Sequence, residues 1–253
     1  MAKSYSSKKK TGKTRSKAAK VASVSATSDS VLDSVALPAI ECWFQSEKTA
    51  FQLDDGGRIT AWFSKQGNGG NAVQNDAAFR AAPATDAATV LFDNAYFDMP
   101  HLTESAFVSS NQLTVGLNIR FIPDAVTTPR VILSKGDFTS RTVYLDFHQN
   151  RLRIKLGNAG LKAVDISPWY GKQVRLIVVA DGTTYSVFID DQPVMTDVVY
   201  GAIGADEAPF RLGARDAGER GACPLTDTAI ASLVMGASAA TEAQRLHLSR
   251  YLA

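Results

Sequence analysis

Residues 54–74 read DDGGRITAWFSKQGNGGNAVQ. A short strand with a tryptophan, Arg58 to Phe63, lies between two glycine-rich turns: Asp55-Gly56-Gly57 on one side, Gly67-Asn68-Gly69-Gly70-Asn71 on the other. Glycine and asparagine tolerate positive φ, so the chain can reverse tightly at both flanks without strain. A strand bracketed in this way belongs to a β-rich fold with close reversals.

The residues after this stretch extend the β pattern. Gln112 to Phe121 alternates, with Leu113, Val115, Leu117, Ile119 and Phe121 on one face and Thr114, Asn118 and Arg120 on the other. Alternation over that length predicts a strand with one buried face. Arg130 to Ser134 and Arg141 to Phe147 continue the set. In Arg151 to Leu156 the residues Leu152, Ile154 and Leu156 face inward against Arg151, Arg153 and Lys155. Gln173 to Ala180 and Thr184 to Ile189 flank Asp181-Gly182, a hairpin signal. Asp190-Asp191-Gln192-Pro193 makes a second turn, from which Val194 and Met195 start a returning edge. Phe210 to Gly213 and Ala229 to Met235 supply the last strands, and Pro38 to Phe44 the first. Val73 to Asp86, rich in alanine and asparagine, reads as a loop. Thr241 to Leu252 reads as a helix, because Thr241 and Gln244 have capping-box spacing.

Charge divides the chain. Residues 1–20 carry eight positive side chains (Lys3, Lys8, Lys9, Lys10, Lys13, Arg15, Lys17 and Lys20) and no acid. Taking those eight from the 27 basic residues leaves 19 against 25 acidic ones, a net of −6 for the remainder. Residues 1–35 are rich in Lys, Ser, Ala and Thr, with few large apolar groups to offset the entropy of ordering, and read as a flexible basic arm. Residues 36–253 form the body, one domain without an internal repeat. The arm suits an anionic partner: nucleic acid, an acidic protein surface or a membrane surface. Tyr5 is its one aromatic residue, so contact through charge is expected to outweigh base stacking. No apolar run approaches the length of a membrane helix, and Val21 to Asp33 is too broken by Ser, Thr and Asp for a secretory core.

The opening stretch resembles that of concanavalin A-like jelly rolls of the laminin-G-like kind, where "D-x-x-G-x-V-x-x-W-x-D-x-S-G-x-G-N-x-A-x-Q" recurs. Asp54, Gly57, Trp62, Gly67, Gly69, Ala72 and Gln74 match it, with Ile59 for its Val. Ser64 and Gln66 replace its Asp and Ser, and the Asn arrives one place late, at Asn71. Phe92-Asp93-Asn94 is similar to the end of that family's "A-V-x-F-D-G" element, and residues 242–253 resemble its closing "E-R-q-x-i-E-x-Y-L-A". The resemblance implies an all-β, concanavalin A-like jelly-roll sandwich of two antiparallel sheets with a short C-terminal helix. It also implies a first strand beside the last, which would bring Cys42 near Cys223. With no export-like segment a disulfide between them is not the default, and the pairing stays open.

Glycosidases on that fold carry paired glutamates on one strand, as in "E-x-D-x-x-E", for proton donation and for attack or water activation. No predicted strand here has that pair; Tyr144 to His148 offers one acid, Asp146. His101, His148 and His247 are widely spaced, with no partner pattern for metal or base. The sequence therefore leads to the expectation of no enzyme, no catalytic residue and no metal centre. A Ca²⁺ site at a sheet rim is left open, with Asp137, Asp190, Asp191 and Asp216 as loop carboxylates, although loop aspartates more often form turns. Trp169, Tyr170 and Tyr185 are the candidate glycan contacts, and Trp43 and Trp62 are assigned to the core.

A lectin-type body behind a basic arm suggests a phage virion structural protein, made in host cytoplasm without a signal peptide. It would be a capsid decoration, head-fibre or collar/tail accessory, homo-oligomeric in its assembly. Lys8, Lys9, Lys10, Lys13, Arg15 and Lys17 would anchor it on other virion proteins (major capsid, portal or tail) or on packaged nucleic acid, with no membrane involved. Two alternatives are a carbohydrate-binding module for host or surface glycans, and a coat protein with a nucleic-acid-binding arm.

Overall fold

A computed structural model of the chain describes residues 40–65, 70–85, 88–100, 102, 104–121, 128–136, 142–204, 209–215 and 225–253. All of them lie in the compact unit Val35–Ala253. Its strands are β1 (Ile40–Gln45), β2 (Phe51–Leu53), β3 (Ile59–Trp62), β4 (Ala72–Val73), β5 (Ala82–Pro83), β6 (Val90–Phe92), β7 (Phe97–Met99), β8 (Leu113–Arg120) and β9 (Arg130–Lys135). They continue with β10 (Thr142–His148), β11 (Arg151–Gly157), β12 (Lys162–Asp165), β13 (Gln173–Ala180), β14 (Thr184–Ile189), β15 (Gln192–Val199), β16 (Phe210–Leu212) and β17 (Thr228–Gly236). Helix α1 (Glu104–Ser110) precedes β8, and α2 (Glu242–Leu252) follows β17.

The strands form two antiparallel sheets. The first runs β15-β14-β13-β8-β17-β6-β5, with β1 also paired to β17; the second runs β12-β11-β10-β9-β16-β7-β4-β3-β2. The fold class is all-β, a two-sheet sandwich with a short C-terminal helix. Neighbours in sequence are often far apart in the sheets: β8 sits between β13 and β17.

Side-chain alternation explains the layering. Leu113, Val115, Leu117 and Ile119 of β8 are wholly buried, as are Val143 and Leu145 of β10 and Leu152, Ile154 and Leu156 of β11. They belong to one core cluster drawn from both sheets. Period-two alternation sends these residues to one side of each sheet, and the two apolar sides close on each other. Phe92 of the first sheet meets Phe97 of the second edge-on, ring centres 5.8 Å apart. Trp62 is fully buried against Phe44, Phe51 and Phe97, and its indole N–H donates to the Gln45 carbonyl at 3.2 Å. Each such large side chain contributes about 1.5–3 kcal/mol through removal from water.

Local chemistry fixes the pieces that frame the functional region. In the β13–β14 hairpin the Asp181 carboxylate accepts from the Thr183 and Thr184 amides at 2.8 and 2.7 Å, while Gly182 takes φ 106°. At α2 the Thr241 hydroxyl accepts from the Gln244 amide and the Gln244 side chain accepts from the Thr241 amide, a complete capping box. The helix lies on the outer side of the first sheet. A Cβ at Gly116 of β8 would stand 2.9 Å from Leu248 and 3.0 Å from Leu252, so only glycine lets α2 seat this closely. Trp43 of β1 packs edge-on to Tyr251 of the same helix, at 4.7 Å.

Several expectations need adjustment. Residues 73–86, read as a loop, contribute β4 in part, β5 and a 3₁₀ turn at Ala77–Phe79 capped by Asp76. Cys42 is a free, fully buried thiol, and burial pushes its pKa upward. Cys223 lies outside the described residues.

Candidate functional site

Polar side chains gather on the outer side of each sheet. On the second sheet, strand register places Asp98, Arg211, Ser134 and Tyr144 in one row across β7, β16, β9 and β10. Asp146, two residues along β10, stands opposite Arg153 of β11. Four of these groups are buried although they point away from the core: Asp146 and Ser134 have no exposed surface, and Tyr144 and Arg211 nearly none, while Asp98 and Arg153 are half-buried. Arg153 grips Asp146 with two nitrogens, Nε at 2.6 Å from Oδ1 and Nη2 on Oδ2, and the Tyr144 hydroxyl donates to Oδ2 at 2.8 Å. Arg211 donates to Asp98 at 2.6 Å and to the Arg215 carbonyl at 3.0 Å, with its guanidinium 4.8 Å from the Tyr96 ring centre. Ser134 donates to the Ala214 carbonyl at 2.8 Å, so residues 214–215 lie over this row. The two carboxylates stand three strands apart, about 14 Å at the usual strand spacing, well beyond the separation of paired glycosidase acids.

The first sheet offers an open cleft of about 350 Å³ between its outer side and the start of α2. Its floor is Val179 of β13 with Thr184, Ser186 and Phe188 of β14. Asp197 of β15 rises at one side and Asp181 of the hairpin at another, while Ala239, Ala240, Glu242 and Arg245 supply the helix wall.

Two structural devices aim these groups. The β14–β15 ladder slips register twice, and Asp197 sits in the left-handed region at φ 51° with its amide donating to Ser186 Oγ at 3.3 Å. A bulge of this kind re-aims a side chain, and aspartate is among the few residues that tolerate the conformation. Arg245 is nearly buried, with its guanidinium 4.1 Å from the Phe188 ring centre and Nη1 3.1 Å from Asp191. It ties α2 to the β14–β15 turn, where Asp190 and Asp191 face Arg175 at 3.2 and 3.9 Å.

The cleft carboxylates differ in their commitments. Asp181 accepts four hydrogen bonds from Thr183 and Thr184, and these backbone and hydroxyl donors lower its pKa from 3.8 to about 2. Asp197 and Glu242 are exposed, and no described residue donates to either carboxylate.

The candidates named from sequence fall elsewhere. Tyr185 is corrected: it alternates inward from Thr184 and Ser186, is 1% exposed, and packs against Tyr200 at 6.2 Å. Burial raises its phenol pKa to about 12. A ring inside the sandwich cannot stack on a sugar. Trp169 and Tyr170 are half-buried against the core beyond β12, with the Tyr170 hydroxyl donating to Asn150 at 2.6 Å, and neither lines the cleft. The arm residues Lys8, Lys9, Lys10, Lys13, Arg15 and Lys17 lie outside the described residues, as do Asp137 and Asp216. Asp190 and Asp191 are ion-paired turn residues at φ 47° and 67°. Among the described residues no three His, Cys, Asp or Glu side chains converge as a metal site, and no helix is long and apolar enough to cross a membrane.

Ser186, Asp197 and Glu242 escaped the sequence reading. The available signal was Thr196-Asp197, a polar pair interrupting an edge strand between Met195 and Val198.

No family model matches the sequence, and no curated protein matches it. Solved structures with a similar fold include sialidases. Trypanosoma rangeli sialidase in complex with sialic acid aligns with a TM-score of 0.58 at 12% identity, over 85% of this chain and 33% of that one. The same sialidase in another crystal structure gives 0.56 at 14% identity, over 83% and 33%. A mutant of NanB sialidase from Streptococcus pneumoniae gives 0.49 at 17% identity, over 62% and 26%, a likeness too slight to carry an argument. This chain thus spans about a third of the length of the Trypanosoma enzyme it resembles. The expectation of no enzyme is corrected by the Trypanosoma neighbour, since the fold is found within a chain that is an enzyme. At such identity the likeness speaks for the fold alone.

Proposed function

We propose that the sandwich is a saccharide-binding module whose ligand seat is the cleft between β13–β15 and α2. The observation that carries this reading is the pair of uncommitted carboxylates, Asp197 and Glu242, facing an open volume of about 350 Å³ beside the Ser186 hydroxyl. That volume suits a small ligand. Sugar hydroxyls donate to carboxylates and accept from a serine hydroxyl, and the Val179 and alanine surfaces accept the apolar edges of a sugar ring. The test is a glycan array with the full chain, followed by calorimetry on any hit. Binding that D197A abolishes supports the reading; an array without a hit overturns it.

A second reading is favoured by the charge split between residues 1–20 and the remainder. On it the chain is a structural component of a phage particle, placed there by Lys8, Lys9, Lys10, Lys13, Arg15 and Lys17 against an acidic protein surface or packaged nucleic acid. The two readings are compatible: the arm would anchor the chain and the cleft would take the glycan. Density-gradient separation of lysate from the native source tests it. Co-sedimentation with particles and release by salt support anchoring by charge; a chain found only in the soluble fraction refutes it.

A further inference from the structure

We infer that the cleft selects saccharides carrying a free amine and turns away acidic ones. This rests on the saccharide reading above and adds the class of ligand. The argument is a local charge balance. Around the β14–β15 turn two acids, Asp190 and Asp191, are matched by two bases, Arg175 and Arg245. Arg245 lines the cleft, but its charge is held by Asp191 and its guanidinium lies against Phe188. What remains facing the cleft is Asp181, Asp197 and Glu242, three carboxylates against one base among the lining residues, Arg245, whose charge Asp191 already matches. Asp181 has its oxygens filled by the hairpin but keeps its charge. A partly enclosed site with walls of one sign concentrates the field inside it. A sugar carboxylate entering there meets three like charges. A sugar ammonium meets two acceptors with open lone pairs, and its three N–H donors can satisfy both Asp197 and Glu242.

A basic peptide shares the charge but fits less well. The cleft lies on the outer faces of β13 and β14 and is lined by side chains; β15 is the edge strand, but only Asp197 of it reaches the cleft, so an extended backbone lying in the cleft meets no ladder of hydrogen bonds.

The experiment is calorimetry of the full chain at low ionic strength against four probes: a β-1,4-linked glucosamine tetrasaccharide, its fully N-acetylated counterpart, sialyllactose and tetralysine. The expected result is binding of the free-amine oligosaccharide on the order of tenfold tighter than the N-acetylated one. Added salt should erode the preference, and sialyllactose should give no heat. D197N and E242Q keep side-chain shape, and asparagine tolerates the left-handed backbone at position 197; each should shrink the preference while the melting temperature stays unchanged. Tighter binding of the N-acetylated or sialylated probe overturns the charge selection and leaves the saccharide reading standing. Absence of binding by all three saccharides overturns both. Tetralysine displacing the amino sugar at equal concentration overturns the inference in favour of a basic peptide segment.

Discussion

The outer sides of the two sheets carry similar chemistry and use it in opposite ways. On the second sheet Asp146, Tyr144 and Arg153 satisfy one another, Asp98 and Arg211 do the same, and residues 214–215 lie across the row. Their charges are spent internally. On the first sheet Asp197 and Glu242 keep their lone pairs toward an open cleft, and the covering helix stops beside it rather than over it. Polarity on a sheet face is therefore a poor guide to function on its own. What separates the two faces is whether the acceptors already have donors.

That contrast can be broken by substitution, and the largest effect belongs to the closed face. D146A takes the carboxylate from a buried ion pair, and the expected loss is about 3–5 kcal/mol in urea unfolding. A loss below about 1 kcal/mol would show that the network is dispensable. Gly116→Val comes next: its added methyls drive into Leu248 and Leu252, overpacking that typically costs about 1–3 kcal/mol. It should weaken ligand binding too, because the displaced helix carries Glu242 and Arg245. Thr241→Ala removes half of the capping box and should lower stability by about 1 kcal/mol, read from the same unfolding curves.

Asp181 supplies a pH test. Its folded pKa is about 2, below the ordinary 3.8, so its contribution to stability is complete above about pH 4 and declines as pH falls toward 2. Subtracting the D181N profile from that of the parent protein should leave a slope in that window; a flat difference would show that the hairpin holds without the charge. Smallest of all, E242Q should change stability by less than about 0.5 kcal/mol, since its side chain is exposed and accepts nothing. A large loss there would move Glu242 from the binding side of the comparison to the structural side.

The strands that build the core were legible because each alternates over six or more residues. Gln173–Ala180 and Thr184–Ile189 coincide with β13 and β14, and the capping-box spacing places α2 within one residue. β12 went unread because Lys162–Asp165 is a mostly exposed strand at the rim of its sheet, with no apolar rhythm. β7 and α1 are too short for periodicity to speak. The site was less legible than the fold. Asp146 looked like one acid in an apolar strand, and its partners Tyr144 and Arg153 are set by the β10–β11 register rather than by any local motif. Asp197 depends on a register slip in β15, a property of the ladder rather than of its residues. Aromatic content pointed to Tyr185, but inward parity at that position consigns the ring to the core.

One wall of the cleft is a single helix held by Gly116, Trp43 and the Arg245–Asp191 pair. Detachment of α2 would remove that wall of the cleft, so on the saccharide reading binding would be coupled to a local opening rather than to global unfolding. A ligand bridging Asp197 and Glu242 would then slow amide exchange along α2 by mass action, with little change in the strands of the second sheet. Occupancy becomes readable as protection confined to eleven residues.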